Sequence, residues 1–104
     1  MLASVTIHGH IAHSYDQLSY ESYPFPETHP AHLYAIARFY GMEPARLENA
    51  RVLEIGCAGG GNIIPLALRT PGAEFLGIDL SAKQIAQGKA IIDRLGLANI
   101  ELKV

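Results

Sequence analysis

Apolar positions along the chain concentrate in three short runs, separated by two segments of helical periodicity. The first two runs, residues 51–55 and 75–78, are nearly continuous, which is typical of strands with helices over both faces of a sheet. Residues 99–104 alternate apolar and charged positions, which is typical of an edge strand. The pattern predicts an α/β fold with a parallel sheet whose third strand lies at an edge.

The segments between these runs predict two helices. Proline is tolerated near a helix start, so Pro65 requires the first helix to begin between residues 61 and 64 and to end before residue 71. Ser81 is placed to cap the second helix, which ends at Gly96. The apolar face of this second helix comprises Ile85, Gly88, Ile92 and Leu95. Right-handed β-α-β crossovers then give the strand order 3-2-1, with a ligand at the carboxyl ends of strands 1 and 2.

A further helix is predicted before the sheet. Thr28 is placed to cap it, Pro30 falls in its first turn, and Gly41 ends it. We expect this helix to bury an apolar stripe, which comprises Leu33, Ile36, Ala37 and Tyr40. Residues 44–49 predict another helical turn, and residues 1–27 a largely irregular leader.

A glycine-rich turn, Gly56-Cys57-Ala58-Gly59-Gly60-Gly61, follows strand 1, and Asp79 ends strand 2. Glycine tolerates positive φ and lets bare backbone N–H groups approach a ligand. A carboxylate at Asp79 would accept hydrogen bonds from the two hydroxyls of a ribose. This arrangement predicts a site for an adenosine-containing cofactor.

The residues around the turn discriminate between cofactors. The dinucleotide fingerprint places glycine where this chain has Ala58. Glu54, two residues before Gly56, matches instead the acidic-first pattern of class I S-adenosylmethionine (SAM) methyltransferases, which this stretch resembles although Ala58 departs from that pattern too. The leader sharpens the likeness, because the chain from about Tyr15 onward resembles bacterial methyltransferases that carry a downstream methyltransferase regulatory domain. This likeness is carried by Tyr15-Asp16, Tyr20, Ser22, Pro24-Phe25, Thr28-His29-Pro30, Leu33, Gly41 and Asn62-Ile63-Ile64-Pro65.

The resemblance implies a Rossmann-like methyltransferase fold, SAM as the cofactor and, as for some family members, protein lysine as the methyl acceptor. The cofactor-binding residues that it implies are Glu54, Gly56, Cys57, Ala58, Gly60, Asn62, Asp79 and Leu80. It assigns no catalytic residue and no metal. In the resembled fold a fourth strand flanks strand 1, so we expect residues 28–104 to be the N-terminal half of a truncated SAM-binding domain, inactive by itself.

Two other functions stay open at this stage. One is a fragment of an NAD(P)-binding Rossmann oxidoreductase, which Ala58 and the long leader disfavour, and the other is a non-catalytic cofactor-binding or assembly module. Individual residues have plainer interpretations too. Asp79 could share the capping of the next helix with Ser81, and Cys57 fits a small loop residue better than a nucleophile. The aromatic leader residues Tyr15, Tyr20, Tyr23 and Phe25 could either pack internally or cover the cofactor.

Composition limits partners and location. The 104 residues carry a formal net charge of −2 without a Lys/Arg cluster, so we expect no autonomous nucleic-acid binding. No apolar stretch approaches the ~20 residues of a membrane span and no signal peptide opens the chain, so we expect a cytoplasmic protein without membrane contact. No Cys or carboxylate ligand lies among the three histidines of the leader in the sequence, so a physiological metal is not expected at His8, His10 and His13. The unflanked side of strand 1 predicts a homodimer through that side.

Overall fold

Three parallel strands form the centre of the structure, a computed structural model that describes residues 22–104. They are β1 (Arg51–Ile55), β2 (Glu74–Ile78) and β3 (Ile100–Lys103), in the spatial order β1-β2-β3. Both neighbouring pairs are parallel, with Val52 opposite Phe75 and Phe75 opposite Ile100. The predicted order 3-2-1 and the partial Rossmann-like fold are confirmed.

Three α-helices accompany the sheet: α1 (Pro30–Phe39), α2 (Ile63–Arg69) and α3 (Ala82–Leu95). Single 3-10 turns lie at Pro26–Thr28 and Leu47–Asn49, and the second falls within the predicted turn of residues 44–49. As predicted, α2 begins within residues 61–64. Ser81 caps α3, since its Oγ accepts from the backbone N of Gln84 at 3.2 Å, and Gly96 ends α3 with a φ of 67°.

The core lies on one face of the sheet, between the strands and the two helices α2 and α3. Each strand is added on the same side of the strand before it, in the order β1-β2-β3. Two right-handed crossovers in the same direction place both connecting helices on the same face of the sheet. Phe75 and Leu102 are buried beneath these helices, whereas Leu53 and Ile55 on β1 are 55% and 77% exposed. The expectation of helices over both faces is therefore wrong for residues 22–104. The predicted homodimer through the β1 side stays a prediction.

Helix α1 differs from its prediction in two ways. Its cap is His29, whose Nδ1 accepts from the backbone N of Ala31 at 3.0 Å, while Thr28 lies in the preceding 3-10 turn. Its apolar stripe is not buried, because α1 packs mainly against the two 3-10 turns and not against the sheet. The stripe residues Leu33, Ile36 and Tyr40 are exposed, and so is Leu95 at the end of α3.

Several expectations fall outside the described residues. They concern the metal question at His8, His10 and His13, and the aromatic residues Tyr15 and Tyr20. The division of the chain at residues 27 and 28 also stays a prediction. None of the helices in residues 22–104 has the length and apolar character needed to cross a membrane.

Asn99 joins the end of α2 to the strands. Its side-chain Nδ2 donates to the carbonyl oxygens of Ala67, Thr70 and Ala73 at 3.0, 3.1 and 3.0 Å. These carbonyls belong to the last turn of α2 and to the connection into β2, so one amide holds the whole connection in place.

We expect Asn99→Ala to lower the free energy of unfolding by about 1–2 kcal/mol, because part-buried carbonyl groups lose their donor. The measurement is chemical denaturation. The control is Asn49→Ala at an exposed position, which we expect to change stability by less than about 0.5 kcal/mol. Equal stability of the two variants would contradict the structural role given to Asn99.

Candidate functional site

The turn between β1 and α2 contains three left-handed backbone positions. Gly56 and Gly60 have φ values of 76° and 85°, which glycine adopts without steric cost. Ala58 has a φ of 51° and carries a Cβ, so this residue is strained. The position at which the chain departs from the glycine pattern is thus one where the backbone favours glycine.

We expect Ala58→Gly to raise the free energy of unfolding by up to about 1 kcal/mol, since it removes the left-handed strain. The matched control is Ala86→Gly in the exposed middle of α3, where the same change should lower stability by about 1 kcal/mol. Thermal denaturation of both variants shows whether the change in stability is positive for Ala58→Gly and negative for Ala86→Gly. A loss of stability in both would show that the backbone at residue 58 is not left-handed.

Several backbone N–H groups of the turn bind the protein itself. The amides of Gly56 and Cys57 both donate to the carbonyl oxygen of Ile78, at 2.8 and 3.0 Å. The amide of Ala58 donates to Asp79 Oδ2 at 2.9 Å. These three N–H groups are therefore not the bare donors that the sequence suggested. A carbonyl oxygen has two lone pairs, so the Cys57 carbonyl, which accepts from the backbone N of Gly60 at 3.0 Å, keeps the capacity to accept from a donor such as an ammonium group.

Asp79 lies at the carboxyl end of β2, as predicted. In addition to Ala58, its carboxylate accepts from the backbone N of Ser81, with Oδ1 at 2.9 Å. A carboxylate offers about four acceptor positions, so these two bonds leave capacity for two further donors such as the hydroxyls of a ribose. The capping interpretation and the ribose-binding interpretation of Asp79 are therefore compatible.

Glu54 and Asn62 form a pair on the helix-covered side of the turn. Glu54 Oε2 accepts from Asn62 Nδ2 at 2.6 Å, and Asn62 is 8% exposed. Burial raises the pKa of the Glu54 carboxyl, and the hydrogen bond from Asn62 acts in the opposite direction. The pair therefore holds a half-buried carboxylate beside the turn.

Cys57 is a buried thiol, 2% exposed. Burial, and then the negative charges of Asp79 and Glu54, raise its pKa to about 11. The thiol therefore stays protonated near neutral pH, and a thiolate is required for nucleophilic attack. This environment supports the interpretation of Cys57 as a small loop residue.

The end of the leader lies across the glycine turn. We call residues 22–28 the strap. Ser22 Oγ accepts from the backbone N of Gly61 at 2.6 Å, and the backbone N of Phe25 donates to Asn62 Oδ1 at 2.7 Å. Asn62 Nδ2 also contacts Thr28 Oγ1 at 3.2 Å. Sequence reasoning used Ser22 and Thr28 for the family resemblance but did not place them at the site, because no local pattern reports contacts over more than 30 residues.

The aromatic pair of the strap is partly exposed. The rings of Tyr23 and Phe25 pack with centroids 4.9 Å apart at an interplanar angle of 43°. The two rings therefore pack against each other, and their covering of a cofactor stays a prediction.

The structure brings the predicted site residues to one end of the sheet. They lie in the last part of β1, in the glycine turn, at the start of α2 and just after β2; Leu80, half-buried, directly follows Asp79. This end holds the carboxylates of Glu54 and Asp79, the backbone of the glycine turn and the half-buried Leu80.

A family model described as "Methyltransferase domain" matches residues 47–104, more than half of the chain. The chain belongs to this methyltransferase family. The match includes β1, the glycine turn and Asp79. The NAD(P)-binding oxidoreductase that the sequence left open is therefore not supported.

Individual relatives agree with this assignment. The chain is 47% identical over 87 residues to Uncharacterized protein RP789 of Rickettsia prowazekii, a match that covers 84% of this chain and 16% of that protein. It is 39% identical over 80 residues to Ribosomal RNA small subunit methyltransferase G of Chlorobaculum tepidum, a match that covers 77% of this chain and 35% of that protein.

Among solved structures, PKMT2 from Rickettsia typhi in complex with AdoHcy matches with a TM-score of 0.76 and 40% identity. The match covers 81% of this chain and 16% of the PKMT2 chain. The fold is thus that of class I SAM-dependent methyltransferases, and the chain spans a small part of the length of these relatives. Membership of the group with a regulatory domain stays a prediction.

Proposed function

We propose that this chain is the SAM-binding part of a methyltransferase, with SAM at the carboxyl ends of β1 and β2. The observation that carries the proposal is the position of the half-buried Asp79 carboxylate, which accepts from the Ala58 and Ser81 amides and keeps two further acceptor positions. The complex of PKMT2 with AdoHcy, the demethylated form of SAM, supports the choice of ligand. When bound, SAM supplies a methyl group that its positive sulfonium makes electrophilic.

The residues present fit this cofactor. Asp79 would accept from the ribose hydroxyls, and the carbonyl oxygens of the turn would accept from the ammonium of the methionine part. Glu54 would attract that ammonium by its negative charge, while Leu80 would offer apolar surface beside the ribose site. The chain's contribution is to bind and orient the donor, which is how positioning lowers the barrier of a displacement reaction.

For the acceptor we propose a protein lysine, as the family resemblance implies. The net charge of −2 and the lack of a Lys/Arg cluster in the sequence support a protein over a nucleic acid, because nucleic-acid affinity depends on cationic contacts to phosphate. The likeness to the small-subunit ribosomal RNA methyltransferase favours RNA as a second candidate.

The donor is tested by calorimetric titration of the 104-residue chain with SAM, with its demethylated product and with NAD. We expect the first two to bind and NAD not to bind, since the turn lacks the glycine that lets a backbone approach a pyrophosphate. Binding of NAD but not SAM would overturn the proposal.

We further expect the 104-residue chain to bind SAM without transferring its methyl group. Transfer requires an acceptor positioned against the methyl group, and residues 22–104 leave Leu53 and Ile55 on one face of β1 exposed. The measurement uses SAM with a labelled methyl group, together with lysine-rich protein or ribosomal RNA. Label on either acceptor would contradict the expected inactivity and would identify the acceptor class directly.

A further inference from the structure

Asn62 makes contacts to two separate parts of the chain from one buried side chain. Its Nδ2 donates to Glu54 Oε2 at 2.6 Å on the sheet and lies 3.2 Å from Thr28 Oγ1 on the strap. Its Oδ1 accepts from the backbone N of Phe25 at 2.7 Å. Both polar atoms of the amide are therefore used inside the protein, so Asn62 acts on a ligand through its neighbours.

The neighbouring residue holds the strap at a second point. The backbone N of Gly61 donates to Ser22 Oγ. Glycine is also required at this position by space, because a side chain at residue 61 would collide with the backbone of Ser22 and Tyr23. The strap therefore lies directly against the glycine turn at residues 61 and 62. A ligand beside this turn would therefore lie next to the strap.

We propose that Asn62 is a positioning residue that fixes the Glu54 carboxylate and the strap in one arrangement, so that SAM binding and strap closure are coupled. This inference rests on the proposed function. It differs from the assignment of Asn62 as a direct cofactor ligand, which its internal hydrogen bonds disfavour.

The electrostatic part of this coupling follows from the hydrogen-bond donor that a half-buried Glu54 carboxylate requires to stay ionised. A half-buried carboxylate stays ionised more easily when a donor satisfies it, and the Asn62 amide is the donor that lowers the pKa of Glu54 against the effect of burial. The Cys57 thiol in the turn interacts with the charges of both Glu54 and Asp79, and the strap carries one charged residue, Glu27. Thr28 and Phe25 of the strap carry no charge there.

Three variants separate the two contacts. Asn62→Ala removes both. Asn62→Asp keeps an acceptor for the Phe25 amide but replaces the donor toward Glu54 with a second carboxylate. Ser22→Ala removes the independent bond to Gly61. Asn49→Ala at an exposed position is the matched control.

The first readout is amide hydrogen exchange without any ligand. We expect Asn62→Ala to speed exchange at Phe25, and Ser22→Ala to speed exchange at Gly61, because each change removes the acceptor of that amide. Asn62→Asp should leave exchange at Phe25 within about threefold of wild type, since its acceptor is kept.

The second readout is SAM affinity and its dependence on pH. We expect Asn62→Ala and Asn62→Asp to weaken SAM binding by about tenfold or more, and Asn49→Ala by less than about twofold. In wild type, SAM should further protect the Phe25 amide, and Asn62→Ala should abolish that effect. Acidification should weaken SAM binding at a higher pH in Asn62→Ala than in wild type, because the Glu54 carboxyl loses the bond that favours its ionised form.

The outcomes distinguish this inference from the proposed function. One outcome is that the wild type binds SAM and that Asn62→Ala binds it with the same affinity and the same pH profile. This result would overturn the positioning role and leave the proposed function intact. An equal loss in Asn49→Ala would also overturn it. A wild-type chain that binds no SAM would overturn the proposed function and this inference together. If Asn62→Ala does not fold, Asn62→Asp decides by the same affinity and pH comparison.

Discussion

Replacing Asp79 by Ala should weaken SAM binding by roughly 1.5–3 kcal/mol, a loss of about 10- to 150-fold in affinity. The proposed ribose contacts are charge-assisted hydrogen bonds, which are stronger than neutral ones. The same change also removes the acceptor of the Ala58 and Ser81 amides, which adds disorder at the turn. The measurement is a calorimetric titration with SAM.

Two further variants test whether the loss of affinity depends on the position and the charge of Asp79. Asp93→Ala, at an exposed position of α3, removes one negative charge away from the site and should leave SAM affinity unchanged. Asp79→Asn keeps an oxygen acceptor but loses the charge, so its affinity should fall between wild type and Asp79→Ala. Unchanged affinity in a folded Asp79→Ala protein would contradict the ribose assignment.

The strand order and the location of the site could be predicted because their signals are local. Apolar runs mark the strands, Pro65 limits the start of α2, and Ser81 and Gly96 bound α3. With these elements in place, the tendency of consecutive strands to be neighbours and the right-handed crossover favour the order 3-2-1, and that order brings Asp79 beside the glycine turn. The candidate site followed from topology without any long-range contact.

The strap, and the sheet face that residues 22–104 leave exposed, could not be predicted in the same way. An apolar strand pattern reports that side chains are suited to burial, but it does not say which element covers Leu53 and Ile55. The contacts of Ser22 and Phe25 with residues 61 and 62 join distant parts of the chain, and they produce no periodic pattern of residues in the sequence. The cap of α1 is a local feature that was predicted wrongly, since Thr28 is a preferred N-cap residue type but the structure uses the Nδ1 of His29.

Gly88 provides a sharp test of how the site is built, because local propensity and packing predict opposite results for its replacement. In an exposed helix, alanine is about 1 kcal/mol better than glycine. In α3, however, a Cβ at residue 88 would collide with Leu102 Cδ1 and lie 2.8 Å from the carbonyl oxygen of Gly59. Glycine here lets the helix approach the turn backbone closely.

We expect Gly88→Val to lower the free energy of unfolding by roughly 3 kcal/mol, at the upper end of the cost of overpacking a core. The control, Gln87→Val, adds the same side chain at the adjacent exposed position of α3 and should cost less than about 1 kcal/mol. Chemical denaturation gives both values. Because the Gly59 carbonyl of the glycine turn is one of the two groups that the new side chain would displace, SAM affinity of Gly88→Val should fall even where the variant is fully folded, whereas Gln87→Val should bind as wild type. Equal stabilities of the two variants would mean that α3 does not lie against the glycine turn, and the geometry proposed for the cofactor site would then lose its support from this helix.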